Sequence, residues 1–265
     1  SGVYLSSEGE KFSNEIIDQR KKTDEAYARL SLRIASFVKH AYPDKFNVLL
    51  SNSLRFQDYF NDLREEILSL SIPVKQAIDY YSAINRHFLD TIAAIAIDSP
   101  EPSLMRGLLS YTYLLRGKEL AGIERALLSS TFTQEYFSKG DYRAFIQLAT
   151  EQNTDHQFFM ALSSPRLVDK FDLIRSSDYY KAVQKFRDIA HQHHKTGKFE
   201  VDVQQWFDAT TAKIDELKKL EDTVTHDLKR KTKQQRDASR SSLVKWGRFI
   251  LLVSLATGIF GLWLM

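Results

Sequence analysis

The chain has 265 residues, which is enough for one large or two small helical domains with buried cores. It contains no cysteine, and this excludes disulfides, thiolate metal sites and a cysteine nucleophile. The net charge of +3 is unevenly distributed, because residues 229–248 hold eight lysines and arginines against one aspartate and the chain before them is mildly acidic.

The segments between the 10 glycines and 5 prolines are long and rich in helix-forming residues. Apolar residues recur in them three and four positions apart, which is the pattern of amphipathic helices, and no strand-like alternation is present. The predicted helices cover about 10–40, 45–70, 71–97, 103–130, 134–138 and 141–161, a piece after 165, then 178–191 and a long last helix from 203. The sequence therefore predicts an all-α fold, with two antiparallel bundles as the favoured arrangement.

Particular residues are expected to mark the ends of these helices. Ser71 can cap the third helix, and two prolines within 99–103 must separate the third helix from the fourth. Gly140 is a good left-handed stop for the short fifth helix. Asp202, followed three residues later by Gln205, has the form of a capping box for the last helix.

The chain ends in an apolar segment, 249–265, that carries no charged side chain. As a helix it would be about 26 Å long, slightly less than a hydrocarbon core of about 30 Å. The sequence thus predicts a helical domain at 1–222, a basic juxtamembrane helix at 223–248 and a truncated transmembrane helix at 249–265. The positive-inside rule predicts that the side of the membrane with the basic run is cytoplasmic, which is evidence against an extracytoplasmic domain.

The densest mixture of polar and apolar residues is 114–126, within the fourth predicted helix. Arg116 and Arg125 are nine residues apart there and point to opposite helix faces. Arg125 lies on a face of small residues, where a close neighbouring helix would partly desolvate a guanidinium suited to a small planar oxyanion. The alternative for Arg125 is an ion pair with a carboxylate of the next helix. For Arg116 the first interpretation is an ion pair with Glu119.

Four segments resemble the nitrate- and nitrite-sensing (NIT) domain of bacterial receptors, in the same order and at fitting spacings. They are SGVYLSSEGEKFSNEIIDQRKKTDEAYARL, IDYYSAINRHFLDTIAAIA, YLLRGKELAGIERALL and WFDATTAKIDELKKLED. The resemblance covers Ser1 to about Asp222. It implies an extracytoplasmic, usually dimeric sensor of two four-helix bundles that binds nitrate or nitrite through arginines where helices of both bundles meet. It also implies an effector across the membrane, such as a chemotaxis signalling domain, a histidine kinase or a cyclic-dinucleotide enzyme, or in soluble relatives an RNA-binding antiterminator domain.

The family's Ala-Gly-x-Glu-Arg-Ala stretch falls on Glu124 and Arg125, and Gly122 and Ala126 match as well. The resemblance therefore implies that Arg125 is a ligand of nitrate or nitrite. Glu124, Gly122 and Arg116 are expected to support it.

A later helix is expected to supply a further arginine. Arg187 is preferred over Arg175, because the helix of Arg187 is amphipathic whereas Arg175 lies near a break. The family's Glu-Arg-Gly motif would stand immediately before Ser1, so half of the expected site lies outside this chain.

Other chemistry is not favoured by the sequence. His191, His193 and His194 are grouped, but no glutamate stands three residues before any of the seven histidines, as carboxylate-bridged di-metal bundles require. We therefore predict no metal site and no cofactor. No nucleophile elbow or glycine-rich phosphate loop is present, so catalysis is not expected. Aromatic residues at helical spacing, including Phe158 and Trp206, are predicted to be core.

Taken with the resemblance, these features predict the periplasmic domain of a nitrate or nitrite receptor in the bacterial inner membrane. The receptor would be a homodimer, of the chemotaxis type for example, without a nucleic-acid partner, and would signal through the last helix. A membrane-anchored helical scaffold that binds proteins and no small ligand fits the helices and charges equally well. A metal-dependent helical-bundle enzyme is the weaker third alternative.

Overall fold

The computed structural model describes residues 4–5, 8–10, 13–35, 48, 57–97, 99 and 101–238. Regular structure in these ranges is entirely helical and includes no strand, so the predicted all-α class is confirmed. The helices are α1 (Ser13–Ala35), α2 (Gln57–Leu68), α3 (Val74–Ile97), α4 (Pro102–Gln134), α5 (Asp141–Leu162), α6 (Pro165–Arg175), α7 (Asp178–Gln192) and α8 (Val203–Ala238).

The region between α4 and α5 differs from the prediction in two respects. Helix α4 continues to Gln134, and the separate short helix predicted at 134–138 does not form. Gly140 has a left-handed φ of 94°, but it precedes α5 and does not end a helix. The chain thus reverses between α4 and α5 through a turn at this glycine.

The two predicted capping residues behave differently. The hydroxyl of Ser71 donates to the backbone oxygen of Glu66, at 3.2 Å, and thus closes the end of α2 rather than the start of α3. Asp202 does cap α8, because its Oδ1 accepts from the backbone N–H of Gln204 at 2.9 Å.

The chain divides into two compact units. Unit 1 comprises Ser1–Leu109 and Thr225–Met265, and unit 2 comprises Ser110–Val224. The divisions fall inside α4 and α8, so each of these two helices contributes residues to both units.

In unit 1, polar contacts join α1 to α2. Arg64 donates to both carboxylate oxygens of Asp24, at 2.6 and 3.1 Å, and Arg20 donates to the backbone oxygen of Arg64 at 3.1 Å. Buried apolar side chains of this unit include Leu30, Leu63, Ile67, Ile84, Leu104 and Leu108. These side chains form the hydrophobic interior that orders the unit.

In unit 2, an aromatic core joins α4 to α8. Phe132 of α4 meets Phe199 and Trp206 edge-on, with ring centroids 5.4 and 5.8 Å apart. Trp206 is fully buried, as predicted, and its indole N–H donates to the backbone oxygen of Arg125 at 3.1 Å. Phe158, by contrast, is half exposed rather than core. The hydrogen bond from Trp206 to the backbone of Arg125 holds α8 against α4.

The connection from α7 to α8 passes close to the end of α4. The backbone N–H of Lys198 donates to the backbone oxygen of Glu135 at 2.9 Å, and Gly197 has a φ of 64°. A Cβ atom at position 197 would lie only 2.4 Å from the same oxygen. Glycine is therefore required both by the backbone conformation and by the close approach.

Candidate ligand-binding site

A hydrogen-bonded group of four polar side chains, the buried cluster, lies inside unit 2. It consists of Glu124 from α4, Gln152 from α5, Arg187 from α7 and Lys213 from α8. Three of them have no exposed surface, and Arg187 exposes only 6%. Charged groups at this depth require close partners, because each loses its hydration.

The cluster supplies those partners through an ion pair and a bridging amide. Arg187 donates from Nε to Oε1 of Glu124 at 2.6 Å and from Nη2 to Oε2 at 2.7 Å. Gln152 donates to Oε2 of Glu124 at 2.9 Å, and its own Oε1 accepts from Arg187 at 3.0 Å. Burial acts to raise the pKa of Glu124, but the charge and hydrogen bonds of Arg187 outweigh it, so this pKa lies below its ordinary value.

Lys213 adds a second positive charge to the cluster. Its ammonium donates to Oε1 of Gln152 at 2.9 Å and lies 5.3 Å from the ring centroid of Tyr180. Burial, followed by repulsion from Arg187, lowers the pKa of Lys213 to about 7, while Glu124 acts in the opposite direction. Lys213 therefore loses its proton at a much lower pH than an exposed lysine does.

Arg125 follows Glu124 in the chain but contacts different residues. Its Nη1 donates to Oγ1 of Thr211 at 2.6 Å, and its Cζ lies 4.6 Å from the ring centroid of Phe207. The side chain exposes 8% of its surface. Burial lowers the pKa of Arg125 to about 10, although the charge of Asp215 acts to raise it. Burial of this guanidinium is therefore incompletely compensated.

The face of α4 that carries Arg125 also bears the small residues expected from the sequence. Ala121 and Gly122, one turn before Arg125, are buried. Ser129, one turn after it, has a buried hydroxyl with no hydrogen-bond partner in the described part of the chain. A buried hydroxyl without a partner is less favourable than one that is hydrogen-bonded. An anion that accepted hydrogen bonds from Arg125 and from Ser129 would supply the missing partner. We refer to Arg125, Ser129 and Thr211 together as the Arg125 face.

Arg116 lies away from the Arg125 face, as the helical geometry predicts. It is half exposed, and its Nε lies 3.6 Å from Oδ2 of Asp155 on α5, so it forms an ion pair across to α5 that the sequence did not predict. Burial raises the pKa of Asp155 to about 6, against the effect of Arg116. The structure thus brings Arg116 to a different pair of helices from the other predicted site residues.

Two members of the buried cluster, Gln152 and Lys213, were not predicted from the sequence. Each occupies a position in the buried stripe of its helix: Gln152 lies seven residues from both Phe145 and Phe159, and Lys213 lies seven residues after Trp206. A polar residue in apolar register is a signal of a buried polar site.

The grouped histidines pack against an aromatic residue. The hydroxyl of Tyr142 lies 2.8 Å from Nδ1 of His191, and the ring of His194 stacks on Tyr142 with centroids 4.1 Å apart. Within the ranges that the structure describes, no three histidine, aspartate or glutamate side chains are grouped as metal ligands.

A protein-family model and a curated relative both match this chain. The family model described as "Nitrate and nitrite sensing" (NIT) matches residues 1–229. A nitrate regulatory protein of Klebsiella oxytoca is 24% identical over 166 residues, which are 63% of this chain and 41% of that protein. The chain thus spans less than half the length of this curated relative.

A solved structure shares the fold. The structure titled "Structure of the NasR transcription antiterminator" matches with a TM-score of 0.78 and 21% identity, over 98% of this chain and 70% of the other. The likeness shows that the two chains share a fold.

The relatives correct the predicted setting of the domain. A periplasmic, chemotaxis-type receptor in the inner membrane, with no nucleic-acid partner, is contradicted by relatives that are a nitrate regulatory protein and a transcription antiterminator. The basic run 229–248 was interpreted as a sign of a membrane. Basic residues attract the phosphates of lipids and of nucleic acids alike, so they do not distinguish between the two. A 17-residue apolar segment is also at the lower limit of a span.

The predicted span itself, 249–265, lies outside the described residues. Among the helices that are described, none is both long enough and apolar enough to cross a membrane.

Proposed function

The chain belongs to the nitrate- and nitrite-sensing family, and we propose that it is the ligand-binding regulatory domain of a larger regulator, with nitrate or nitrite as its ligand. In this proposal the two compact units are the two four-helix bundles of the family. The relatives are a nitrate regulatory protein and a transcription antiterminator, so the output that we propose is control of gene expression.

The observation that carries this proposal is the environment of Arg125. A buried guanidinium lies there between a hydroxyl and an aromatic ring, on a helix face whose Ser129 hydroxyl is unsatisfied. Nitrate is planar and singly charged, so it can accept parallel N–H bonds from one guanidinium while a hydroxyl donates to its remaining oxygen. The charge of a bound anion would act in the same sense as Asp215, which raises the pKa of Arg125 against the effect of burial.

Arg187 has a different role in this proposal. Its Nε and Nη2 are held by Glu124 and Gln152, so it positions α4 from the side of α7. Its assignment as a second anion ligand stays a prediction. Glu124 likewise acts as the partner of Arg187 and fixes the backbone of the next residue, Arg125.

Helix α8 is the element through which a bound anion would act. Trp206, Phe207 and Thr211, all on α8, contact Arg125 through its backbone oxygen, its guanidinium face and its Nη1. The helix then continues without interruption to Ala238. A change in the position of Arg125 would therefore be transmitted along one continuous helix.

Calorimetric titration tests the proposal. Nitrate and nitrite are titrated at constant ionic strength into the wild-type chain and the Arg125→Gln variant. We expect a loss of about 10- to 100-fold in affinity in the variant, because hydrogen bonds to a charged group contribute about 1.5–3 kcal/mol. The matched control is Arg143→Gln, which neutralises an exposed arginine of α5 in the same unit.

The control should bind as the wild type does. If neither anion binds the wild-type chain, or if Arg125→Gln binds them unchanged, the proposal is wrong. A loss of equal size in Arg143→Gln would show a general charge effect and would also contradict it.

A further inference from the structure

A cleft of about 870 Å³ opens between α5, α6 and α7 of unit 2. Its lining includes Asn153, His156 and Gln157 of α5, Arg175 of α6, and Tyr180 and Lys181 of α7. No residue of the Arg125 face is among the lining residues. The volume falls within the range of about 300–1,000 Å³ that is typical of pockets for organic ligands, and it is far larger than nitrate requires.

Two cations stand at the mouth of this cleft. Arg175 and Lys181 are 48% and 63% exposed. Nη1 of Arg175 lies 3.4 Å from Oδ1 of Asp172, and Nζ of Lys181 lies 3.8 Å from Oδ1 of Asp178. Such exposed pairs within one helical turn contribute little to stability. Carboxylates of a ligand can therefore replace Asp172 and Asp178.

The floor of the cleft lies next to further positive charge. Tyr180 is buried, and the ammonium of Lys213 lies 5.3 Å from its ring centroid. His156 is also buried, and its Nε2 has no hydrogen-bond partner in the described part of the chain. Burial, then repulsion from Lys213, Arg187 and Arg175, lowers the pKa of His156 to about 3. His156 is thus neutral, and the charges that act on it are all positive.

We propose that this cleft is a second ligand site, for a small organic dianion with two carboxylates. Arg175 and Lys181 each take one carboxylate at the mouth of the cleft. The side-chain amides of Asn153 and Gln157, which are exposed, supply uncharged donors on the α5 side of the cleft. The site is separate from the nitrate or nitrite site and does not depend on it.

Succinate is the probe, and its diamide, succinamide, is the matched control because it has the same skeleton without charge. We expect saturable binding of succinate to the full chain, measured by calorimetry, and none of succinamide. Arg175→Gln and Lys181→Gln should each weaken succinate binding about tenfold, as expected for the loss of one charge-assisted contact. Lys170→Gln, an exposed lysine of α6 outside the cleft, should leave the affinity unchanged.

A gain-of-affinity variant keeps the test independent of folding. Asp172→Asn removes the carboxylate that competes for Arg175, and it should strengthen succinate binding several-fold. The proposal is overturned by absence of saturable succinate binding, by equal binding of succinamide, or by affinities that Arg175→Gln and Lys181→Gln do not change. Nitrate titrated into the same variants should bind as to the wild type, so a failure of the nitrate site and a failure of this cleft are distinguishable.

Discussion

Glu124 and Arg125 are consecutive residues of α4, and their surroundings differ in how buried charge is balanced. On one side, burial acts to lower the pKa of Arg187, but the charge and hydrogen bonds of Glu124 raise it above its ordinary value. On the other side, burial lowers the pKa of Arg125 to about 10, and Asp215 only partly offsets this. Two buried guanidiniums of the same unit are thus stabilised to very different extents.

Helix α4 thus carries one side chain that stabilises the fold and, next to it, one that is suited to binding an anion. In the buried cluster, every oxygen of Glu124 has a donor, and an anion would have to compete with a bidentate carboxylate. At the Arg125 face, an anion would meet a buried guanidinium, with an unsatisfied hydroxyl one helical turn away. The cluster therefore stabilises the fold, whereas the Arg125 face can gain stability from a ligand.

The largest effect on stability is expected when the ion pair between Arg187 and Glu124 is broken. Arg187→Met leaves Glu124 buried without its cation, so the free energy of unfolding should fall by about 3–5 kcal/mol. Urea denaturation measures this change. Lys185→Met, at an exposed position of the same helix, is the control and should change stability little. The double variant Glu124→Gln with Arg187→Met should recover much of the loss; a loss below about 1 kcal/mol in the single variant would contradict the comparison.

The charge of Lys213 makes the buried cluster sensitive to pH. Between its folded pKa of about 7 and its ordinary value of 10.5, the unfolded chain holds a proton that the folded chain has released, so stability rises with pH. The free energy of unfolding of the wild type, relative to that of Lys213→Met, should therefore rise by about 1.4 kcal/mol for each pH unit between about pH 7.5 and 9.5. Urea denaturation of both proteins across this range gives the difference, and a difference independent of pH would show that Lys213 is not buried as a base.

Replacement of Arg125 should have a smaller effect on stability than replacement of Arg187. Arg125→Met removes a guanidinium whose burial is incompletely compensated, so we expect the free energy of unfolding to change by no more than about 1 kcal/mol. The measurement is the same denaturation, carried out without nitrate or nitrite. If Arg125→Met lowered the free energy of unfolding as much as Arg187→Met does, the two guanidiniums would not differ in how their burial is compensated.

The smallest effect is expected at Ser129. Ser129→Ala removes a hydroxyl that has no hydrogen-bond partner, so stability without ligand should stay within about 0.5 kcal/mol of the wild type. Nitrate affinity should nevertheless fall several-fold, since the hydroxyl is lost as a donor. Calorimetry and denaturation of the same preparation separate these two results. Unchanged nitrate affinity would place the anion elsewhere on the Arg125 face.

The helices could be predicted because local pattern decides them. Apolar periodicity, proline breaks and the cap at Asp202 are properties of short segments, and the observed α3, α5, α6 and α7 follow them closely. The end of α4 could not be predicted in the same way. Its last turn belongs to the aromatic core around Phe132, which also needs residues more than sixty positions later.

The candidate site was predictable only in part, for the same reason. Motif resemblance and small neighbours indicate Arg125, but the partner of Arg187 depends on how α7 packs against α4. Gln152 and Lys213 could have been predicted, because a polar residue in the buried stripe of a helix indicates a buried polar site. The predicted membrane setting was wrong because charge and hydropathy of one terminal segment do not identify the partner that the segment meets.

The responses of Arg125 and Arg187 to nitrate can be followed separately in one titration. Side-chain Nε resonances of Arg125 and Arg187, assigned by single substitution, are recorded by NMR as nitrate replaces chloride at constant ionic strength. We expect a saturable shift of the Arg125 resonance, while that of Arg187, held by Glu124, stays in place. A saturable shift of Arg187 alone, or of neither arginine, would contradict it.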